Sequence, residues 1–283
     1  MRSACIALAV CLAVGLAACG AVPPRSDAEA WRERLVDLND RAGAAVGRGE
    51  LKRAAVLYRE ALRLAESVED FRSVGINTLN LSAVLQALGE TAPAERALER
   101  VLAAPERFGR SLVAEASGRK AYLALQAHEP DTAAAWLARA ESECSPPDCR
   151  IQAALLSLRA QLALERGAAG ESRATAVRAL AASRASGNRE EEANALRVDG
   201  RAAAALGEHA QAVASLNQAL ALDKQLALPY KIALDLLALA EVELGRGARD
   251  AARDYAQRAL EVSRAAGNRQ QQDAAVQLMG RAR

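Results

Sequence analysis

Asn194, Arg197 and Arg201 follow one another at spacings of three and four, which places them on one face of a helix. A guanidinium can hold a carboxylate through two parallel N–H donors. This face therefore predicts contact with an acidic side chain or a C-terminal carboxylate of a partner. Glu190, Glu191 and Glu192 stand directly before it, so a second reading stays open: a solvated face whose charges partly cancel. Other chemistry is sparse. The two histidines, His128 and His209, fall at separate turns far apart in the chain, and a catalytic or metal site needs convergent partners. No glycine-rich phosphate loop, zinc-ligand spacing or nucleophile elbow is present. The expectation is a non-enzyme with no catalytic residue, no metal site and no cofactor. Trp31 and Trp136 lie in Ala- and Leu-rich stretches and are expected to pack against a core.

The cysteines carry a different kind of chemistry. The chain opens with Arg2, continues through an apolar run from Ala4 to about Gly15, and reaches Leu16-Ala17-Ala18-Cys19-Gly20. A basic start, a short apolar run and small residues before a cleavage point mark a secretory signal. The run is too short for a spanning helix, which needs about 20 apolar residues. Leu16-Ala17-Ala18-Cys19 resembles the lipobox of bacterial lipoproteins. The resemblance covers residues 1–20. It implies cleavage before Cys19, lipidation of its sulfur, and a membrane anchor; Gly20, where an Asp would signal inner-membrane retention, implies the periplasmic face of the outer membrane. Residues 1–18 then form a signal peptide and residues 19–26 a lipidated linker containing two prolines. Of the five cysteines, Cys144 and Cys149 remain, within Cys144-Ser145-Pro146-Pro147-Asp148-Cys149. An oxidising compartment preserves disulfides and two prolines favour a turn, so a Cys144–Cys149 disulfide is expected.

The groups above must be positioned by helices. Ala, Leu, Arg, Glu and Gln dominate, and aromatic residues are only 3 %. Ser26-Asp27-Ala28-Glu29 reads as a capping box, so the folded body is expected over residues 27–283. Six triplets with spacings of four and three recur: Ala54-Tyr58-Ala61, Ala94-Leu98-Val101, Ala133-Leu137-Ala140, Ser172-Ala176-Ala179, Ala212-Leu216-Ala219 and Ala252-Ala256-Ala259. They return at a period of about 40, which indicates a repeat architecture. Glycines 49, 89, 167, 207 and 247 fall between paired helices, where a left-handed residue ends a helix. The Gly187-Asn188 and Gly267-Asn268 pairs read as ends of the second helices. The net charge of +2 lacks the basic excess of a nucleic-acid binder.

The spacing of Leu196, Gly200, Ala203, Gly207, Ala212, Leu216 and Ala219 resembles the tetratricopeptide repeat. The resemblance extends over roughly residues 27–281, with a longer period than the usual 34 and with the motif's early Trp and mid-repeat Tyr mostly replaced by Leu and Ala. It implies an all-α solenoid of about six helix-turn-helix repeats with a capping helix. It also implies a concave groove lined by the first helix of each pair. By position, that groove presents Asn80, Tyr122, Asn194, Arg197 and Arg201, with Asn39, Glu115, Gln161, Glu241 and Gln277. The implied role is a membrane-anchored scaffold for envelope proteins or peptides, without nucleic acid. A module sensing a peptide or glycan is the alternative, favoured by a deep pocket with convergent polar groups.

Overall fold

The computed structural model describes residues 27–144 and 149–283. Cys19, the apolar leader and the side chains of the Ser26–Glu29 capping box lie outside the described residues, as do residues 145–148. Among the described residues there are thirteen helices and no strand. They run as α1 (Asp27–Gly47) and α2 (Leu51–Ser67), α3 (Phe71–Ala87) and α4 (Thr91–Leu102), α5 (Pro105–Gln126) and α6 (Pro130–Glu143), α7 (Gln152–Glu165) and α8 (Ala169–Ser186), α9 (Arg189–Ala205) and α10 (His209–Gln225), and α11 (Pro229–Gly245) and α12 (Arg249–Ala266), followed by α13 (Arg269–Arg281). This is an all-α solenoid of six helix pairs with a terminal helix.

The repeating triplets explain the pairing. All eighteen of their residues are buried, and they lie on α2, α4, α6, α8, α10 and α12. The alanines and the serine among them let the partner helix approach closely. The approach is tightest at Gly200 on α9, where an added Cβ would lie 2.7 Å from Leu216 Cγ and 3.0 Å from the Ala212 carbonyl oxygen. Overpacking of this kind costs about 1–3 kcal/mol. Gly200→Ala should lower the urea midpoint accordingly; an unchanged midpoint would mean that α9 and α10 separate freely.

The turn inside each pair runs through a left-handed residue. In the third pair His128 occupies that place with φ 57°, and its Nδ1 lies 3.3 Å from Glu165 Oε2. At the junctions between pairs the two residues of Gly187-Asn188 and Gly267-Asn268 divide the work. The glycine ends the preceding helix in the left-handed conformation. The asparagine starts the next one, accepting the backbone N–H of Glu191 at 3.1 Å or of Gln271 at 2.9 Å. Only the glycine therefore belongs to the helix end expected of each pair; the Asn is a start signal for the next helix.

The apolar core is a series of clusters along the solenoid, one over α1 to α5, one over α5 to α7, a small one at Ala160, Ala176 and Val198, and one over α9 to α13. Each repeat thus packs on its neighbours, as expected for a one-dimensional array. Trp31 and Trp136 are partly buried against the first of these clusters. Cys144 and Cys149 form a disulfide between α6 and α7, with Cα atoms 5.0 Å apart.

The superhelix curls until its last repeats meet its first. Asn268, fully buried, donates from Nδ2 to the Ala87 carbonyl at 2.8 Å. Pro229 seats against Gly49, where an added Cβ would lie 3.1 Å from Pro229 Cγ. Tyr122 and Tyr230 bring their hydroxyls to 3.3 Å. The concave side is therefore a chamber rather than an open groove.

Candidate binding chamber

The first helices of the pairs, α1, α3, α5, α7, α9 and α11, together with the start of α2, line a chamber of about 460 Å³. That volume lies within the range of about 300–1,000 Å³ common for ligand sites. Leu51, Tyr58, Val84, Leu155, Leu158 and Leu234 supply apolar wall. Asn80, Glu115, Tyr122, Gln161, Asn194 and Arg197 all reach it. Four of the other expected groove residues do not line it. Asn39 donates to the carbonyl of Leu35 in its own helix at 2.9 Å. Gln277 is exposed on α13. Arg201 and Glu241 line a separate, shallower pocket of about 310 Å³ with His209.

Arg197 and Arg201 thus do not act together as one carboxylate-binding face. Arg197 is buried and already holds two carboxylates of its own chain. Its Nε donates to Asp235 Oδ1 at 2.5 Å, its Nη2 to Asp223, and its Nη1 to Asn194 Oδ1 at 2.9 Å. Both aspartates are fully buried. Burial works against the charge on Arg197, and the two carboxylates outweigh it, so its pKa is raised. Burial pushes the Asp235 carboxyl up to about 7, against the pull of Arg197 and with the help of the nearby Asp223. Asp223 is raised as well, by burial first. Asp223 Oδ1 and Asp235 Oδ2 are buried without a hydrogen-bond partner. Burial and the proximity of two like carboxyls both favour a protonated form at this pair.

A second polar cluster faces the same space. Lys231 Nζ bridges Glu190 Oε1 at 2.9 Å and Asn194 Oδ1 at 2.8 Å. Lys231 is the main cause of the lowered pKa of Glu190. Arg119 pairs with Glu115 at 3.1 Å. Three of the residues lining the chamber carry a buried donor without a partner: Gln86 Nε2 on α3, Arg119 Nε on α5 and Ser157 Oγ on α7. Buried donors left in this state cost about 1–3 kcal/mol each, so turning them toward acceptor oxygens in the chamber would be favourable. Among the described residues, no group of three or more His, Cys, Asp or Glu side chains could hold a metal, and no helix is long and apolar enough to cross a membrane.

No family model and no curated protein matches the chain. Solved structures match its fold. A Rap protein complexed with competence and sporulation factor superposes with a TM-score of 0.64 at 17 % identity, covering 88 % of this chain and 70 % of that one. A signal transduction ATPase with numerous domains from Pyrococcus horikoshii, which carries a tetratricopeptide repeat sensor, gives a TM-score of 0.56 at 13 % identity; 90 % of this chain is covered but only 40 % of that one. Aspartyl phosphate phosphatase F from Bacillus subtilis gives 0.51 at 13 % identity, covering 92 % and 81 %. The fold is a tetratricopeptide-like helical-repeat solenoid.

Proposed function

We propose that this chain is a membrane-tethered interaction module whose chamber receives a short peptide segment of a partner protein in the bacterial envelope. The observation that carries the reading is the set of unpartnered donors, Gln86, Arg119 and Ser157, on the wall of a largely apolar chamber. An extended peptide offers carbonyl acceptors at regular intervals and apolar side chains between them. The Rap structure, solved with its factor bound, and the repeat sensor of the ATPase support a binding role for this type of superhelix. The meeting of the first and last repeats favours a sensing role over a passive scaffold, because a ligand touching both sides of the seam is thermodynamically linked to closure. The tether rests on Leu16-Ala17-Ala18-Cys19: lipidation there would hold the first repeat near the periplasmic face of the outer membrane, and more than one acyl chain gives stable anchoring.

Ala154 lines the chamber and is only partly exposed. Ala154→Trp should fill the space and weaken binding of peptides selected from a displayed random octapeptide library by more than about tenfold, or 1.4 kcal/mol. Peptides that bind the variant as well as the parent would place the contact elsewhere. Cys19→Ser should release a folded protein into the soluble fraction. Retention of that variant in the membrane would overturn the tether.

A further inference from the structure

The charges on the chamber wall and directly behind it are unequal. Glu115 is paired with Arg119, and Glu190 with Lys231. Arg197, the remaining cation on the wall, is held by two carboxylates, Asp223 and Asp235. Glu191, on the same wall, has no ion-pair partner among the described residues; only its backbone N–H is engaged, by Asn188. Three carboxylates and three cations thus line the chamber, and two more carboxylates stand behind Arg197; even with one of that pair protonated, an acid is left in excess. The imbalance sits in a partly desolvated space, where charge interacts more strongly than in water. An independent sign that the space takes a ligand is Ser157, a lining residue only 4 % exposed, whose buried hydroxyl has no partner.

We propose that the chamber selects a peptide segment bearing a basic side chain, with the free carboxylate of Glu191 as its direct partner. This rests on the reading of the chamber as a peptide site, and it reverses the sign of partner that the Arg197–Arg201 spacing alone suggests. Glu191 and Arg197 lie about 9 Å apart along α9 at 1.5 Å per residue. A cation at Glu191 is thus also within the field of the acid pair behind Arg197, while an acidic group meets repulsion with no unpaired cation on the wall to offset it.

Three octapeptides of one Ala-Leu-Ser background, carrying two Arg, two Gln or two Glu, test this by fluorescence anisotropy. The Arg peptide should bind at least about tenfold more tightly than the Glu peptide. The gap should narrow in Glu191→Gln and invert in Glu191→Lys. Thermal melts verify that both variants are folded. If all three peptides bind alike and Ala154→Trp abolishes their binding, the chamber reading stands and the charge selection is wrong. A preference that survives unchanged in both Glu191 variants also overturns it. If the Arg peptide binds Ala154→Trp as well as the parent, or if none of the three binds, the chamber reading itself falls.

Discussion

Arg197→Met should destabilise the protein by about 3–5 kcal/mol, because it leaves buried carboxylates without their cation. Asp223 and Asp235 are fully buried and have Arg197 as their shared ion-pair partner. For a chain of this size that corresponds to a lowering of the thermal midpoint on the order of 10 °C. The loss should fall on the α9–α11 region first, since repeats in such arrays depend on their neighbours. A triple variant, Arg197→Met with Asp223→Leu and Asp235→Leu, should recover most of the stability, because a well-packed apolar replacement of a buried ionic cluster is often neutral or better. Circular dichroism melts of both variants decide this. An unchanged midpoint in Arg197→Met would mean that water reaches the aspartates and that the cluster is not sealed.

The second large effect concerns pH. The Asp235 carboxyl has a folded-state pKa of about 7, against an ordinary 3.8, and Asp223 is also raised. Between these values the folded chain binds more protons than the unfolded one. Stability from the pair is therefore fully present below about pH 4 and is lost as pH rises toward 7. The loss across that window is on the order of a few kcal/mol. Asp235→Asn stays polar at this position but cannot ionise. Relative to the parent it should be the more stable protein at pH 8 and should lose that advantage at pH 5. A stability difference between the two proteins that stays constant from pH 4 to 8 would contradict the raised carboxyl pKa.

Much of the fold is legible in the sequence because it repeats. The six triplets report the buried faces of the second helices, α2, α4, α6, α8, α10 and α12, directly, since small or apolar residues recur where the paired helices touch. The turns are legible through glycine, and the exception, His128 in the left-handed position, follows from the period alone: it stands 39 residues after Gly89 and 39 before Gly167. The chamber was less legible. Assigning the first helices to the concave side places Asn80, Tyr122 and Asn194 on its wall, but the curl that brings Asn268 onto Ala87 joins residues 181 apart, and no local pattern encodes it. Arg197 illustrates the limit of spacing arguments. Its helical neighbours Asn194 and Arg201 are visible in the sequence, whereas Asp223 and Asp235 are 26 and 38 residues away. A signal for them does exist. Asp223 follows Leu220-Ala221-Leu222, and Asp235 interrupts Ala233-Leu234 and Leu236-Leu237. A lone acid within an apolar run implies a buried partner cation, and Arg197 is one repeat before Asp235.

Photo-crosslinking tests the central claim most directly. A benzophenone amino acid placed at Gln161, inside the chamber, and at Val177, 54 % exposed on α8, would be irradiated with a library-selected octapeptide. The account predicts peptide adducts at position 161, absent at 177 and competed away by unlabelled peptide. Adducts at 177 alone, or equal adducts at both positions, would contradict binding in the chamber.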